Sequence, residues 1–217
     1  MGVALGVLPV VFFGTVAAAA FVLYLKRQTL AGRYARRMRV LAIAAAGFHL
    51  LYALTLTVVQ YLVWRGSEVT RGFTESSLGV DVPAIFPLNV FPWIGESSLG
   101  YFLFYSWGRF WFEAVLTVAA ALAFWALLKV LRARSDRFFE NGDVTLGFAM
   151  ALLSPWPGFL IFLGFTFVAV VLVSIYRMVV LREPYTTLGA PFLLAAFLTL
   201  MFRSMLIRTL GLSVLIV

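Results

Sequence analysis

Long apolar segments, separated by short polar breaks, dominate this sequence and constrain its fold. They include Val3 to Leu25, residues 40–64, residues 108–131 and the run from Val144 to Leu181. A helix needs about 20 apolar residues to cross a bilayer. The chain is 63% hydrophobic and 12% charged, whereas soluble domains have roughly half and a quarter. We therefore expect an integral membrane protein.

The run from Val144 to Leu181 is too long for one span, and Ser154-Pro155-Trp156-Pro157-Gly158 divides it. Two prolines beside a glycine indicate a turn. The sequence thus predicts an all-α, polytopic bundle of six transmembrane helices in a single domain, 1–217. The predicted spans are 3–25, 40–64, 108–131, 144–156, 158–181 and 188–210, with a loop at 65–107. The short span 144–156 would cross where the bilayer is thinned or other helices wall it.

The basic residues indicate the orientation of these spans. The loop 26–39 carries six cations and no acid: Lys26, Arg27, Arg33, Arg36, Arg37 and Arg39. Between two apolar spans this is the positive-inside signal, which places the loop in the cytoplasm and both termini outside. The net charge of +8 then indicates contact with an anionic bilayer rather than with nucleic acid.

Several kinds of chemistry are excluded by composition. The chain has no cysteine and a single histidine, His49. Thiolate and iron–sulfur chemistry are therefore absent, and a histidine metal site cannot be built. We expect no metal and no cofactor.

One polar break carries a possible active site. Glu140-Asn141-Gly142-Asp143 precedes the short predicted span, which puts an acid at the mouth of a membrane helix. Ionisable residues there are costly and are functional candidates. The alternative is structural: Glu140 and Asp143 would be helix N-terminal acids that favour the macrodipole and pair with Arg134 or Arg137.

The order of elements from 138 to 200 resembles the type IV prepilin peptidases, which are membrane aspartyl peptidases of the GxGD kind. A Gly-Asp-Val step opens a short helix, a Trp-containing turn follows, and Gly189-Ala190-Pro191-Phe192 opens the last helix. The resemblance implies a six-helix bundle in a prokaryotic cytoplasmic membrane, with its site at the cytoplasmic face. It implies pilin-like membrane proteins with basic leaders as substrates.

The resemblance assigns roles to particular residues. Asp143 corresponds to the second catalytic aspartate of the family and Gly142 to the last glycine of its motif. Such peptidases use a carboxylate pair, in which one acid activates water and the other donates a proton. Glu140, or Glu183, would supply the second acid. Gly142, Gly189, Pro191 and Phe192 would contact substrate.

The sequence also departs from the family pattern. Glu140 stands at the motif's first glycine, and Thr145 replaces its lysine. The first catalytic aspartate should lie where span one meets the cytoplasm, but there the chain has Tyr24 or a neighbour and no acid.

Several functions remain open. The chain is an aspartyl peptidase, a relative that has lost cleavage, a non-enzymatic scaffold or a small transporter, and the transporter is disfavoured because no charged residues line the middle of several spans. The scaffold would bind a membrane partner through the aromatic loop 82–107.

Overall fold

The computed structural model describes residues 2–30, 32–78, 90–182 and 187–215, with the side chains of residues 2–4 left out. This part of the chain is helical and contains no strand. Its α-helices are α1 (Gly2–Leu25), α2 (Arg27–Leu30), α3 (Gly32–Gly66), α4 (Glu68–Thr74), α5 (Trp93–Glu96), α6 (Gly100–Ser106), α7 (Phe112–Arg134), α8 (Asp143–Leu152), α9 (Gly158–Tyr176) and α10 (Gly189–Thr209). Single π-helical turns, Trp107–Trp111 and Arg177–Leu181, precede α7 and follow α9.

The predicted all-α membrane fold is confirmed, but the number of long spans is five rather than six. Within the described ranges, the helices long and apolar enough to cross a membrane are Leu5–Leu25, Gly32–Gly66, Gly100–Arg134, Gly158–Leu181 and Gly189–Thr209. The predicted span 144–156 corresponds to α8, which ends at Leu152. Ten residues of helix extend about 15 Å, half of the hydrocarbon core of about 30 Å.

Contacts divide the chain into two compact units, 1–48 with 116–216 and 49–115. In the first unit α8 is the most enclosed helix. All of its residues except Thr145 and Phe148 are buried. Gly147 permits the close packing, because a Cβ there would lie 2.6 Å from Leu128 Cδ1. Neighbouring helices therefore shield α8 from lipid, which explains how so short a helix is accommodated.

The turn after α8 continues in the interior of the same unit. The Trp156 backbone N–H donates to Thr117 Oγ1 at 2.9 Å, and an Arg203 guanidinium N–H donates to the Trp156 carbonyl at 3.4 Å. Thr117 lies on α7 about 26 Å before its end at Arg134. Within a membrane, irregular backbone is tolerated only where protein surrounds it and satisfies its polar groups. The hydrogen bonds from the Trp156 N–H and to the Trp156 carbonyl satisfy these groups.

The second unit is built around aromatic side chains. The Trp64 ring lies between 4.8 and 6.3 Å, by ring centroids, from four others: Phe73, Tyr101, Phe102 and Tyr105. Much of the predicted loop 65–107 is helical here, as α4, α5 and α6. Asp81 and the proline-rich part of this loop, 82–89, lie outside the described residues.

Candidate carboxyl site at the mouth of helix α8

The backbone before α8 makes a tight approach that needs glycine. Gly142 has φ of +104°, a conformation that side chains with a Cβ avoid. The Tyr34 ring lies against it, so that a Cβ on Gly142 would be 2.6 Å from Tyr34 Cε1. Two independent constraints therefore select glycine immediately before Asp143.

Asp143 is the first residue of α8, and its side chain is fully buried. Its Oδ2 accepts a hydrogen bond from the Glu140 backbone N–H at 3.0 Å, which closes the turn before the helix. Its Oδ1 has no hydrogen-bond partner among the described residues. The Gly189 N–H favours the charged carboxylate but does not reach hydrogen-bond geometry with Oδ1.

Burial controls the ionisation of this carboxyl. Desolvation raises the pKa of Asp143 from 3.8 to about 6, and the hydrogen bond from the Glu140 N–H opposes that rise. The negative charge of Glu140 raises the pKa further, whereas Arg27 lowers it. Burial disfavours the charged form because the protein interior solvates it poorly. Asp143 can therefore exchange a proton near neutral pH.

A tyrosine lies close to the buried carboxyl. The Tyr24 ring and Asp143 Oδ1 both lie against the α-carbon of Gly189. A Cβ on Gly189 would be 2.8 Å from that oxygen and would overlap Tyr24 Cε2. The start of α10 thus lies against both Tyr24 and Asp143, and the charge of Asp143 acts on the Tyr24 hydroxyl.

Glu140 is engaged elsewhere. Its Oε2 accepts a hydrogen bond from Arg27 Nε at 2.7 Å. The Arg27 guanidinium also lies 4.2 Å from the centroid of the Tyr24 ring. The predicted pairing of Glu140 with Arg134 or Arg137 is wrong: the short helix α2 supplies the cation instead. Among the described residues, Glu140 is the acid whose charge acts on Asp143.

The remaining predicted site residues have packing roles. Gly189, Pro191 and Phe192 are buried in the first turn of α10. The Phe192 ring packs edge-to-face on Phe124 with centroids 5.8 Å apart. Burial in this state leaves Pro191 and Phe192 without a surface for substrate. Glu183 lies outside the described residues.

Sequence reasoning missed Tyr34 and the role of Arg27. Tyr34 is buried, and its hydroxyl has no partner among the described residues. The signal for Tyr34 was its sequence position between Arg33 and Arg36. An aromatic side chain gains no favourable contacts in an exposed basic loop, so its presence there indicates burial. Arg27 was indistinguishable from the five other cations of its loop.

Chemically, the site has one fully buried carboxyl, Asp143, two tyrosines and the Arg27–Glu140 ion pair. Amide hydrolysis by an aspartyl peptidase needs two carboxyls that share a water. This arrangement can hold or exchange a proton at Asp143, and within the described ranges the acid whose charge acts on Asp143 is bound by Arg27. Comparison of the chain with family models, with curated proteins and with solved structures found no match.

Proposed function

We propose that this chain is a prepilin-peptidase-like membrane protein that has lost peptide cleavage and acts by binding a membrane partner. The observation that supports this proposal is that Tyr24 and Asp143 Oδ1 both lie beside Gly189 at the start of α10. A peptidase of the GxGD kind would need a second carboxyl at the position of Tyr24. The only acid acting on Asp143 among the described residues is held by Arg27.

The partner class follows from the resemblance and from the lipid-facing surface. Pilin-like proteins carry an apolar helix, and α9 exposes a row of apolar side chains that such a helix could cover: Phe167, Val168, Val171, Leu172 and Ile175. In membranes, helices associate through van der Waals packing. Binding would thus occur within the bilayer and would not require Asp143.

Co-purification from membranes tests the binding. The chain, co-expressed with a pilin-like single-span protein, should enrich it several-fold over an unrelated single-span protein of equal expression. Asp143→Asn should enrich it equally. Equal recovery of the pilin-like and the unrelated protein would contradict the proposal.

The aromatic surface of the second unit favours a second candidate function, that of a scaffold. Trp93 is 63% exposed and Phe91 43% exposed, and their rings meet edge-to-face. Exposed aromatic residues are enriched at protein interfaces and at membrane surfaces.

If this surface binds the partner, the double variant Phe91→Ala, Trp93→Ala should lose it. Phe21→Ala, which removes an aromatic ring that is 51% exposed on α1 and lies outside the proposed α9 face, is the matched control. Retention of the partner by the double variant would eliminate the scaffold function of this surface.

A further inference from the structure

A groove of about 700 Å³ lies in the first unit, between the basic ends of α3 and α7 and the first turns of α8. Val144 and Thr145 of α8 line it, but Asp143 does not. The groove is therefore separate from the carboxyl site, and the identity of its ligand does not depend on the proposed function.

One end of the groove is cationic. Arg39 of α3 and Lys129 and Arg132 of α7 line it, with Asp136 as the acid. Arg132 Nε donates to Asp136 Oδ1 at 3.2 Å, and this exposed pair leaves the other guanidinium N–H groups of Arg132 available. Lys129 Nζ lies 3.7 Å from the centroid of the Trp125 ring. Three cations and one acid give this end of the groove a net charge of about +2, which attracts an anion.

The other end of the groove is apolar. On α7, Trp125 and Leu122 lie four and seven residues before Lys129 and share its face. On α3, Ile43 lies four residues after Arg39. At 1.5 Å per residue these side chains are about 6–10 Å further from the basic end than the cations. Phe148 completes the wall, with its ring centroid 6.3 Å from that of Trp125.

The two ends together match one kind of molecule. A phosphate group would contact the cations while a hydrocarbon chain runs along Ile43, Leu122 and Phe148 towards the bilayer interior. Leu122 and Ile43 are 47% and 65% exposed, so the apolar end opens to lipid. A soluble phosphate compound would leave this wall uncovered. Basic pockets between membrane helices are suited to anionic headgroups.

We propose that this groove is a binding site for an anionic phospholipid, with the headgroup phosphate held by Arg39, Lys129 and Arg132 and one acyl chain packed on Trp125 and Phe148. Each cation near an anionic headgroup adds to the affinity, so phosphatidylglycerol should bind at least about tenfold more tightly than phosphatidylcholine with the same acyl chains.

Native mass spectrometry of the purified full chain, titrated with each lipid in detergent, measures this preference. The groove variant is Arg39→Gln, Lys129→Gln, Arg132→Gln. The matched control is Arg33→Gln, Arg36→Gln, Arg37→Gln, which removes the same charge from exposed side chains that do not line the groove. A third variant, Ala133→Trp, fills the groove from an exposed lining position without any change of charge.

The groove variant and Ala133→Trp should each lose the phosphatidylglycerol preference, and the control should keep it. Inorganic phosphate at millimolar concentration should not displace the lipid. The proposal is overturned if the groove variant keeps the preference, if the control loses it to the same extent, or if inorganic phosphate displaces the lipid completely. Ala133→Trp decides the question alone if the triple variant does not fold.

Discussion

At the scale of single residues, the site is defined by what surrounds one carboxyl group. Asp143 is fully buried, accepts one backbone hydrogen bond and leaves its second oxygen without a partner among the described residues. Burial makes the charged carboxylate unfavourable and therefore raises the pKa of Asp143. Gly189 lies against the same oxygen. Ionisable residues in such places are costly and are functional candidates.

Gly142→Ala should lower the free energy of unfolding by roughly 1–2 kcal/mol from backbone strain alone, with more from contact with the Tyr34 ring. Gly164→Ala is the control, since a Cβ there meets nothing within 4 Å and alanine favours helix. Thermal unfolding in one detergent measures both. Equal melting temperatures for the two variants would show that the left-handed turn at Gly142 is not needed.

The pKa of Asp143 gives a pH dependence with a defined sign. Between about pH 4 and about pH 6 the folded state holds a proton that the unfolded state has lost. The stability contributed by Asp143 should therefore fall as pH rises through this range, by roughly 3 kcal/mol in all, and stay level above it.

Asp143→Asn removes this titration and keeps an oxygen that can accept the Glu140 N–H. The difference in unfolding free energy between wild type and Asp143→Asn, measured from pH 4 to pH 7.5, should follow the predicted single step. A difference that is constant with pH would mean that the carboxyl is solvated in the folded protein.

At the scale of elements, helix α8 distinguishes this bundle from a simple set of spanning helices. Sequence reasoning located its start correctly, because Gly142-Asp143 is a polar break before an apolar run. It also predicted the turn at Ser154 to Gly158 from the two prolines, but it extended the span into that turn, to residue 156. The helix ends at Leu152, and Thr117 and Arg203 hold the Trp156 backbone in the turn.

The burial of α8 predicts a contrast between two leucines. Leu146 is fully buried, whereas Leu172 on α9 is 57% exposed. Leu146→Ala should cost about 2–5 kcal/mol because it leaves a cavity. Leu172→Ala should cost much less, since lipid replaces the lost contacts. Unfolding in sodium dodecyl sulfate measures both, and similar losses would contradict an interior position for α8.

The element scale also shows why the Arg27–Glu140 pair was not predictable. The two residues are far apart in sequence, and their meeting depends on how α2 turns after α1. A sequence shows that Glu140 needs a cation but not which of several arginines is placed to supply it. The packing role of Phe192 could not be predicted for the same reason, because its partner Phe124 comes from another helix.

At the scale of the whole molecule, apolar composition determined most of what could be predicted. It identified an all-α integral membrane protein, and the five long helices agree with that. The family resemblance rests on residues 138–200 and remains a prediction, as do the cytoplasmic location of the basic loops and the side on which each terminus lies.

The path of the chain predicts that both termini lie on the same side of the membrane. Five crossings would place the termini on opposite sides. Helix α8 and the turn after it together add a sixth crossing, because the Trp156 turn reaches Thr117, which lies about 26 Å along α7 from its basic end. Because the chain has no cysteine, single cysteines report topology cleanly. In intact cells an impermeant thiol reagent should label Ser213→Cys and spare Thr29→Cys and Ser135→Cys. If Ser213→Cys behaved like Thr29→Cys and Ser135→Cys, whether all three were labelled or all three were spared, the result would contradict this path.

The loss of cleavage is the central claim, and one measurement tests it most directly. A pilin-like protein with a basic leader is incubated in proteoliposomes with wild type, with Asp143→Asn, or with an authentic prepilin peptidase as positive control. Mass spectrometry then reads the substrate's N-terminus. We expect the leader to be removed only by the authentic peptidase. Removal by wild type that Asp143→Asn abolishes would show that Asp143 has a catalytic partner and would contradict the account.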